Sequence, residues 1–166
     1  MNRAATILLA CLAYHVAFGA DQVITNTEVG YSITYPATWT LSESVVKWNV
    51  QGTAPRGKDT PSAKVQLMIT SHDKTTKVEY DRQYNFIGKG NSDQKIVSEE
   101  DAMLGGMKAK KLSLSIRNTD TCIVYLIVTE NRVIKLWLYG IKDQEHADDV
   151  NAIVKSIKFL EMEKKQ

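Results

Sequence analysis

The sequence predicts an α+β domain, and three observations carry that prediction. Several segments alternate apolar and polar residues with a period of two, two others space their apolar residues as a helix does, and "DTCIVYLIVTENRVIKLWLYGI" joins two strongly apolar runs through Glu130-Asn131. A period of two belongs to strands that bury one face, and spacings of three and four belong to helices that bury one stripe. A short polar link containing Asn, which tolerates positive φ, between two apolar runs is the mark of a tight β-hairpin.

The elements follow in chain order. In "VGYSITYP", Val29, Tyr31, Ile33 and Tyr35 fall on one side, which predicts a strand with that side buried. Pro36 has no N–H to offer a ladder, so the strand stops there and Ala37-Thr38 turn the chain. Trp39 then returns over the strand end, where a large indole closes the end of a core; the pair is architectural and not a ligand clamp. "SVVKWNV" (Ser44–Val50) reads as a second strand. Gln51–Ser62 holds two prolines, two glycines and no apolar period, and reads as an exposed loop of the kind that often carries function. "AKVQLMIT" (Ala63–Thr70) is a third strand. Val78, Tyr80, Tyr84 and Ile87 lie near helical spacing, and Gly88 and Gly90 stand where that helix would end.

The second half is richer in strands. "QKIVSEE" predicts a short one. "GGMKAKKLSLSIR" opens on Gly105-Gly106 and shifts its apolar parity between Ala109 and Leu112, a shift that a single bulge near Lys110-Lys111 would produce. Cys122 to Val128 is apolar on both faces, which predicts a central strand covered on both sides. In the next run Ile134, Leu136 and Leu138 form an inner face and Lys135 marks the more exposed side. Ala147, Val150, Ile153, Val154 and Ile157 share one face of a closing helix, with Asp143 as its cap, and Leu160–Gln166 is a solvated end. There is no internal repeat and no second domain.

The opening residues bear on what the mature protein is. Arg3, an apolar run from Ala4 to Ala20 broken by Thr6, Tyr14 and His15, and small residues before polar "DQVITNTE" have the layout of a secretory signal peptide, with cleavage after Gly19. A spanning helix wants about 20 cleanly apolar residues, more than this run supplies. A second reading of "LLAC" makes Cys11 the lipidated residue of a bacterial lipoprotein, tethering the domain by acyl chains; the ten residues before Cys11 and the apolar run beyond it place that reading second. Residues 20–166 are then one domain of 147 residues, with 20 basic and 19 acidic side chains and a formal charge of +1. That balance gives no concentrated basic charge for nucleic acid. Only Cys122 survives cleavage after Gly19, so no intrachain disulfide forms and the core alone must hold an exported domain.

The elements "GYSITYPATW", "GGMKAKKLSL" and "IVKSIKF" resemble, in that order, the opening strand with its proline and tryptophan, the glycine-led middle strand and the closing helix of the PsbP-like group, which includes the Mog1 fold and bacterial exported relatives of the DcrB type. The resemblance spans most of residues 28–159. It implies a largely antiparallel sheet flanked by helices on both faces, an α/β/α sandwich. It also implies a non-enzymatic accessory or binding role; members attached to photosystem II help retain its inorganic ions by docking to the complex. No docking residue carries over to this chain.

The residues offer little catalytic chemistry. Cys122 pairs on paper with His72 or His146 as nucleophile and base, but it opens a strongly apolar strand, where cysteine is usually an inert small hydrophobe. No Gly-x-Ser-x-Gly elbow occurs. Glu99, Glu100 and Asp101 are consecutive, point in different directions and read as a solvated turn, with no calcium-loop pattern around them. Isolated His72 and His146 make no zinc site, and Gly88-Lys89-Gly90 lacks the frame of a phosphate loop. Lys108, Lys110 and Lys111 read as edge-strand lysines that guard against aggregation. Trp48 and Trp137 mark a protein contact if exposed and adjacent, and core if buried.

The expected function is that of an exported, non-enzymatic accessory protein, periplasmic or extracellular. It would bind a protein partner at the envelope or a membrane complex, with no catalytic, cofactor or metal residue and no membrane span in the mature chain. The alternative is a small-molecule carrier or weak hydrolase with a pocket beneath the Gln51–Ser62 loop, recognisable as an apolar cavity with a few convergent polar groups.

Overall fold

The computed structural model describes residues 20–27, 30–43, 49–56, 63–71, 76–89, 94–116, 120–129, 132–140 and 146–160. The expected signal peptide with Cys11 lies outside these residues, as do Val29, Ser44–Trp48, residues 57–62 of the expected loop, His72, Gly90, Glu130-Asn131, Asp143 and the 161–166 end.

Among the described residues the strands form two antiparallel sheets. β1 (Gln22–Asn26), β2 (Tyr31–Tyr35) and β10 (Lys158–Phe159) make a three-stranded sheet in the order β1-β2-β10. β3 (Thr40–Glu43), β4 (Val50–Thr53), β5 (Lys64–Ser71), β6 (Gln94–Leu104), β7 (Met107–Ile116), β8 (Asp120–Val128) and β9 (Arg132–Tyr139) make a seven-stranded sheet in the order β3-β4-β5-β9-β8-β7-β6. Helix α1 (Thr76–Lys89) covers one face of the large sheet, while α2 (Ala147–Ser156) and the small sheet cover the other. The class is α+β, as expected. The layering is dominated by sheet: each face carries a single helix, and α2 shares its layer with the small sheet.

Register explains how one sheet serves two cores. Leu67, Leu136 and Tyr125 stand in one row across β5, β9 and β8 and pack toward β2 and α2; Gln66, Trp137, Val124 and Leu112 stand in the next row and face α1. Side chains alternate between faces, so every strand that runs between both layers must be apolar at both parities. β8 shows this as expected: Cys122, Val124 and Leu126 join the α1-side cluster, and Ile127, with partly buried Ile123 and Tyr125, joins the other.

The same geometry corrects the bulge expected at Lys110-Lys111. β7 pairs continuously with both neighbours through those residues. Ala109 simply belongs to the α2-side core and Leu112 and Leu114 to the α1-side core, so the change of parity is a change of core. The register shift in this hairpin lies instead on β6, between Ile96 and Ser98. Gly105 and Gly106, at φ 56° and 85°, make the two-residue turn between β6 and β7, a connection that asks for positive φ at both positions.

β6 is eleven residues long and not the short strand expected. Glu99, Glu100 and Asp101 therefore sit in an edge strand instead of a turn. Glu99 stands opposite Leu112, while the other two face lysines across the ladder: Lys110 Nζ lies 2.8 Å from Asp101 Oδ1, and Lys111 Nζ lies 2.6 Å from Glu100 Oε1. Lys110 and Lys111 belong to β7, one strand in from the edge, so they pair cross-strand acids and do not guard an edge. Gln51 to Thr53 is strand and not loop, and Ala54 N–H donates to Ala63 O at 2.9 Å. α2 starts with His146 at its N-cap, making no side-chain capping bond, and Asp148 and Asp149 bring negative charge to the first turn. Ile157 leaves the helix in an extended conformation and stays buried, feeding β10 into its pairing with β2.

Candidate functional site

Cys122 is fully buried in β8 among Ile87, Val124 and Trp137 on the α1 side. Burial pushes its thiol up to about 12, against a backbone hydrogen bond from Leu138 that pulls the other way. His146 lies across the sheet, edge-on to Trp39 at 6.2 Å between ring centroids. The structure does not bring the two together, and a thiol held protonated in an apolar core is no nucleophile.

This burial predicts alkaline instability. Burial also pushes the Tyr139 phenol up to about 12. Both groups have folded values above their ordinary 9.0 and 10.0, so their contribution is fully present below those values and is lost as pH rises through about 12. The urea midpoint should therefore fall steadily above about pH 9, and Cys122→Ala should flatten that fall relative to its own value at neutral pH. An equal slope in both proteins would show that Cys122 does not contribute.

Lys135 was expected on an exposed side, and the structure places it in the interior, 6% exposed. It occupies β9 opposite Met68 of β5 and Leu126 of β8, facing α1. Its Nζ donates to Gln83 Oε1 at 2.9 Å, Gln83 Nε2 donates to Glu79 Oε1 at 2.7 Å, and Arg82 Nη1 donates to Glu79 Oε2 at 3.3 Å. Glu79 and Gln83 are themselves buried. They sit four apart on α1, one turn stacked on the next, which is why a single helix face carries the whole relay. Burial pulls the Lys135 ammonium below its ordinary value; the Glu79 charge opposes that shift and Arg82 adds to it. A buried ammonium with one acceptor among the described residues and the face of Phe86 at 5.8 Å is only partly compensated.

Beside this relay lies a cleft of about 410 Å³. Its described lining is Gln66 and Met68 from β5, Phe86 from α1, Gln94 from β6, and Lys135, Trp137 and Tyr139 from β9. Alternate β9 residues reach the same face, so Lys135, Trp137 and Tyr139 arrive together by the pleat alone. Trp137 and Tyr139 lie parallel, 5.8 Å apart at 6°. Trp137 is 6% exposed, and its Nε1–H is buried with no hydrogen-bond partner among the described residues, a costly state for an indole. α1 packs over β6 and β8, which leaves the β5–β9 side of this face beside the helix and not beneath it. Of the described residues in the 51–62 segment none lines the cleft; Gln51 stands one strand away, opposite Gln66.

A second depression, along the β6–β7 hairpin, is lined by Asp101, Ala102, Met103, Lys108 and Ala109 and offers exposed Met103 but no buried polar side chain. Among the described residues no three His, Cys, Asp or Glu side chains gather as metal ligands, and no helix is long and apolar enough to cross a membrane. The cleft left one trace in the sequence, the Lys-Leu-Trp-Leu-Tyr run that puts a cation and two aromatics at alternate positions of one strand. The expectation for Trp137 was core or contact patch. It is buried and it lines a cleft.

Neither family models nor curated protein sequences match the chain. Solved structures do. Cyanobacterial PsbP (CyanoP) from Synechocystis sp. PCC 6803 is similar with a TM-score of 0.60 at 16% identity, over 92% of this chain and 98% of that one. LpqN, involved in cell envelope biogenesis of Mycobacterium tuberculosis, is similar with a TM-score of 0.55 at 14% identity, over 87% of this chain and 93% of that one. The fold is therefore PsbP-like, the group that the opening, middle and closing motifs resemble.

Proposed function

We propose that the chain is an exported, non-enzymatic accessory protein of the cell envelope that works by binding, and that the cleft flanked by α1, β5 and β9 is where it binds. The observation that carries this reading is the pairing of a buried, incompletely satisfied Lys135 with the unpartnered Trp137 indole in one concavity. Desolvated donors facing an aromatic-walled space cost stability unless something accepts from them. The signal-like residues 1–19 support export, with lipidation at Cys11 the second reading, and the likeness to an envelope protein supports the compartment. The buried, protonated Cys122 supports binding over catalysis.

The cleft bears on what kind of partner is bound. About 410 Å³ takes a small molecule, or the one or two side chains that a partner protein inserts. The convergent polar groups support the small-molecule alternative over a flat contact patch, with its site read against β5 and β9. Native mass spectrometry of the protein gently isolated from its own host tests this. A bound species that is lost from Trp137→Phe supports the reading. Bare protein, or a bound species that Trp137→Phe and Phe86→Ala both retain, removes the cleft as the site. A chain mass starting at Ala20 supports cleavage after Gly19, and an acylated mass starting at Cys11 replaces it.

A further inference from the structure

The inference concerns what the cleft holds, and it rests on the reading of that cleft as the binding site. We propose that the cleft takes a small monocarboxylate with a flat apolar body, its carboxylate on Lys135 and its body along Trp137 and Tyr139.

Three features of the site choose that chemistry. The described lining carries one cation and no carboxylate, so a singly charged anion neutralises it and a dianion leaves a charge over. Among the described residues the donors outnumber their acceptors: Lys135 Nζ has three N–H groups and one hydrogen-bonded acceptor, the Trp137 Nε1–H has none, and Gln66 and Gln94 add two carboxamides at the lining. Two carboxylate oxygens can each accept more than one such bond. Trp137 and Tyr139 stack on each other at 6°, and Met68 and Phe86 add apolar surface beside the pair. A rigid planar body packs against such surface with little conformational entropy to lose.

The relay behind Lys135 suits it for this task. Gln83 accepts from the ammonium with its carbonyl and donates to Glu79 with its amide, so Glu79 is satisfied within α1 and is not among the described lining. Glu79 thus supports the cation from behind without competing for the open donors. Burial of the ammonium, which lowers its ordinary value, means that an arriving anion meets a charge less screened by water than that of a surface lysine.

The test uses the chain from Ala20 onward, labelled with nitrogen-15, and three probes: 2-naphthoate, its neutral analogue 2-naphthamide, and the flexible carboxylate hexanoate. The Trp137 indole N–H resonance, assigned with Trp137→Phe, reports binding. The expected result is that 2-naphthoate shifts this resonance and binds at least about tenfold more tightly than either other probe. Lys135→Met should abolish the preference for naphthoate over naphthamide while leaving naphthamide affinity unchanged. Should Lys135→Met fail to fold, Phe86→Ala, at an exposed helix position, serves instead: it should weaken naphthoate and naphthamide together and leave their ratio intact. Equal affinity for the amide overturns the carboxylate, and equal affinity for hexanoate overturns the flat body, with the cleft retained in both cases. No response of the Trp137 resonance to any probe, with a ligand still found by native mass spectrometry, overturns this ligand class alone. No response and no native ligand overturn the cleft as well.

Discussion

Trp39→Ala is expected to cost about 3–5 kcal/mol of folding stability, read as a lower urea midpoint by circular dichroism. Trp39 is 2% exposed and joins three parts of the fold. Its ring tilts against Tyr35 at 6.2 Å, its Nε1–H donates to Asp149 Oδ2 of α2 at 3.1 Å, and its own carbonyl accepts from Gln22 Nε2 at 2.8 Å. Truncation removes the ring, opens a cavity between β2 and α2, and leaves the Asp149 carboxylate without its indole donor. Trp39→Phe separates these effects. It keeps most of the volume and loses the hydrogen bond, so its cost should be only about 1–2 kcal/mol. Were Trp39→Ala to cost under about 1 kcal/mol, the ring would not be the plug of this core.

Gly52→Ala should be the second severe change, at about 1–3 kcal/mol despite adding one methyl group. A Cβ at Gly52 would overlap Tyr35 Cε1 and Cδ1, inside any permitted contact, and stand 3.1 Å from Trp39 Cε3. The Tyr35 ring has nowhere to go. It is fully buried, and its hydroxyl donates to Val65 O at 3.2 Å. Burial also lifts its phenol far above the ordinary value, with the Tyr31 charge adding to the rise, so the ring cannot ionise its way out at any ordinary pH. Tyr35→Leu should relieve the clash, so the Gly52→Ala/Tyr35→Leu double variant should be less destabilised than the two single changes added together. Simple additivity would place the fault elsewhere than this contact.

The two changes differ in how far the sequence announces them. The period of Tyr31, Ile33 and Tyr35, the halt at Pro36 and the return of Trp39 are all local, and all four side-chain placements hold in the structure. The pairing of the two apolar runs holds as well, with Val128 opposite Val133. So do α1 and the buried face of α2, where Val150 and Ile153 are both buried. Gly52 reads as a loop glycine, because nothing near it in the chain reveals that an aromatic ring from another sheet lies against it.

The candidate site was the least legible part. A lysine at alternate positions of an apolar strand signals a solvated face wherever only one face of the sheet is covered. Here α1 covers the second face, and the relay through Gln83 to Glu79 makes burial of the charge tolerable. β6 misled for a related reason: three consecutive acids look unfit for a strand until Lys110 and Lys111 are seen across the ladder.

By itself, then, the sequence determined what depends on neighbours within a few residues: the α+β class, most strand and helix positions, the β8–β9 hairpin, the core role of Trp39 and the burial of Cys122. Tertiary structure alone decided what depends on residues far apart in the chain. It set which core each parity of β7 enters, why Gly52 must lack a Cβ, and that Lys135 is buried beside Trp137 in a cleft. Periodicity records only that a side chain is covered. The partner that covers it comes from another element, and that partner decides whether a cation is solvent-facing or buried beside a cleft.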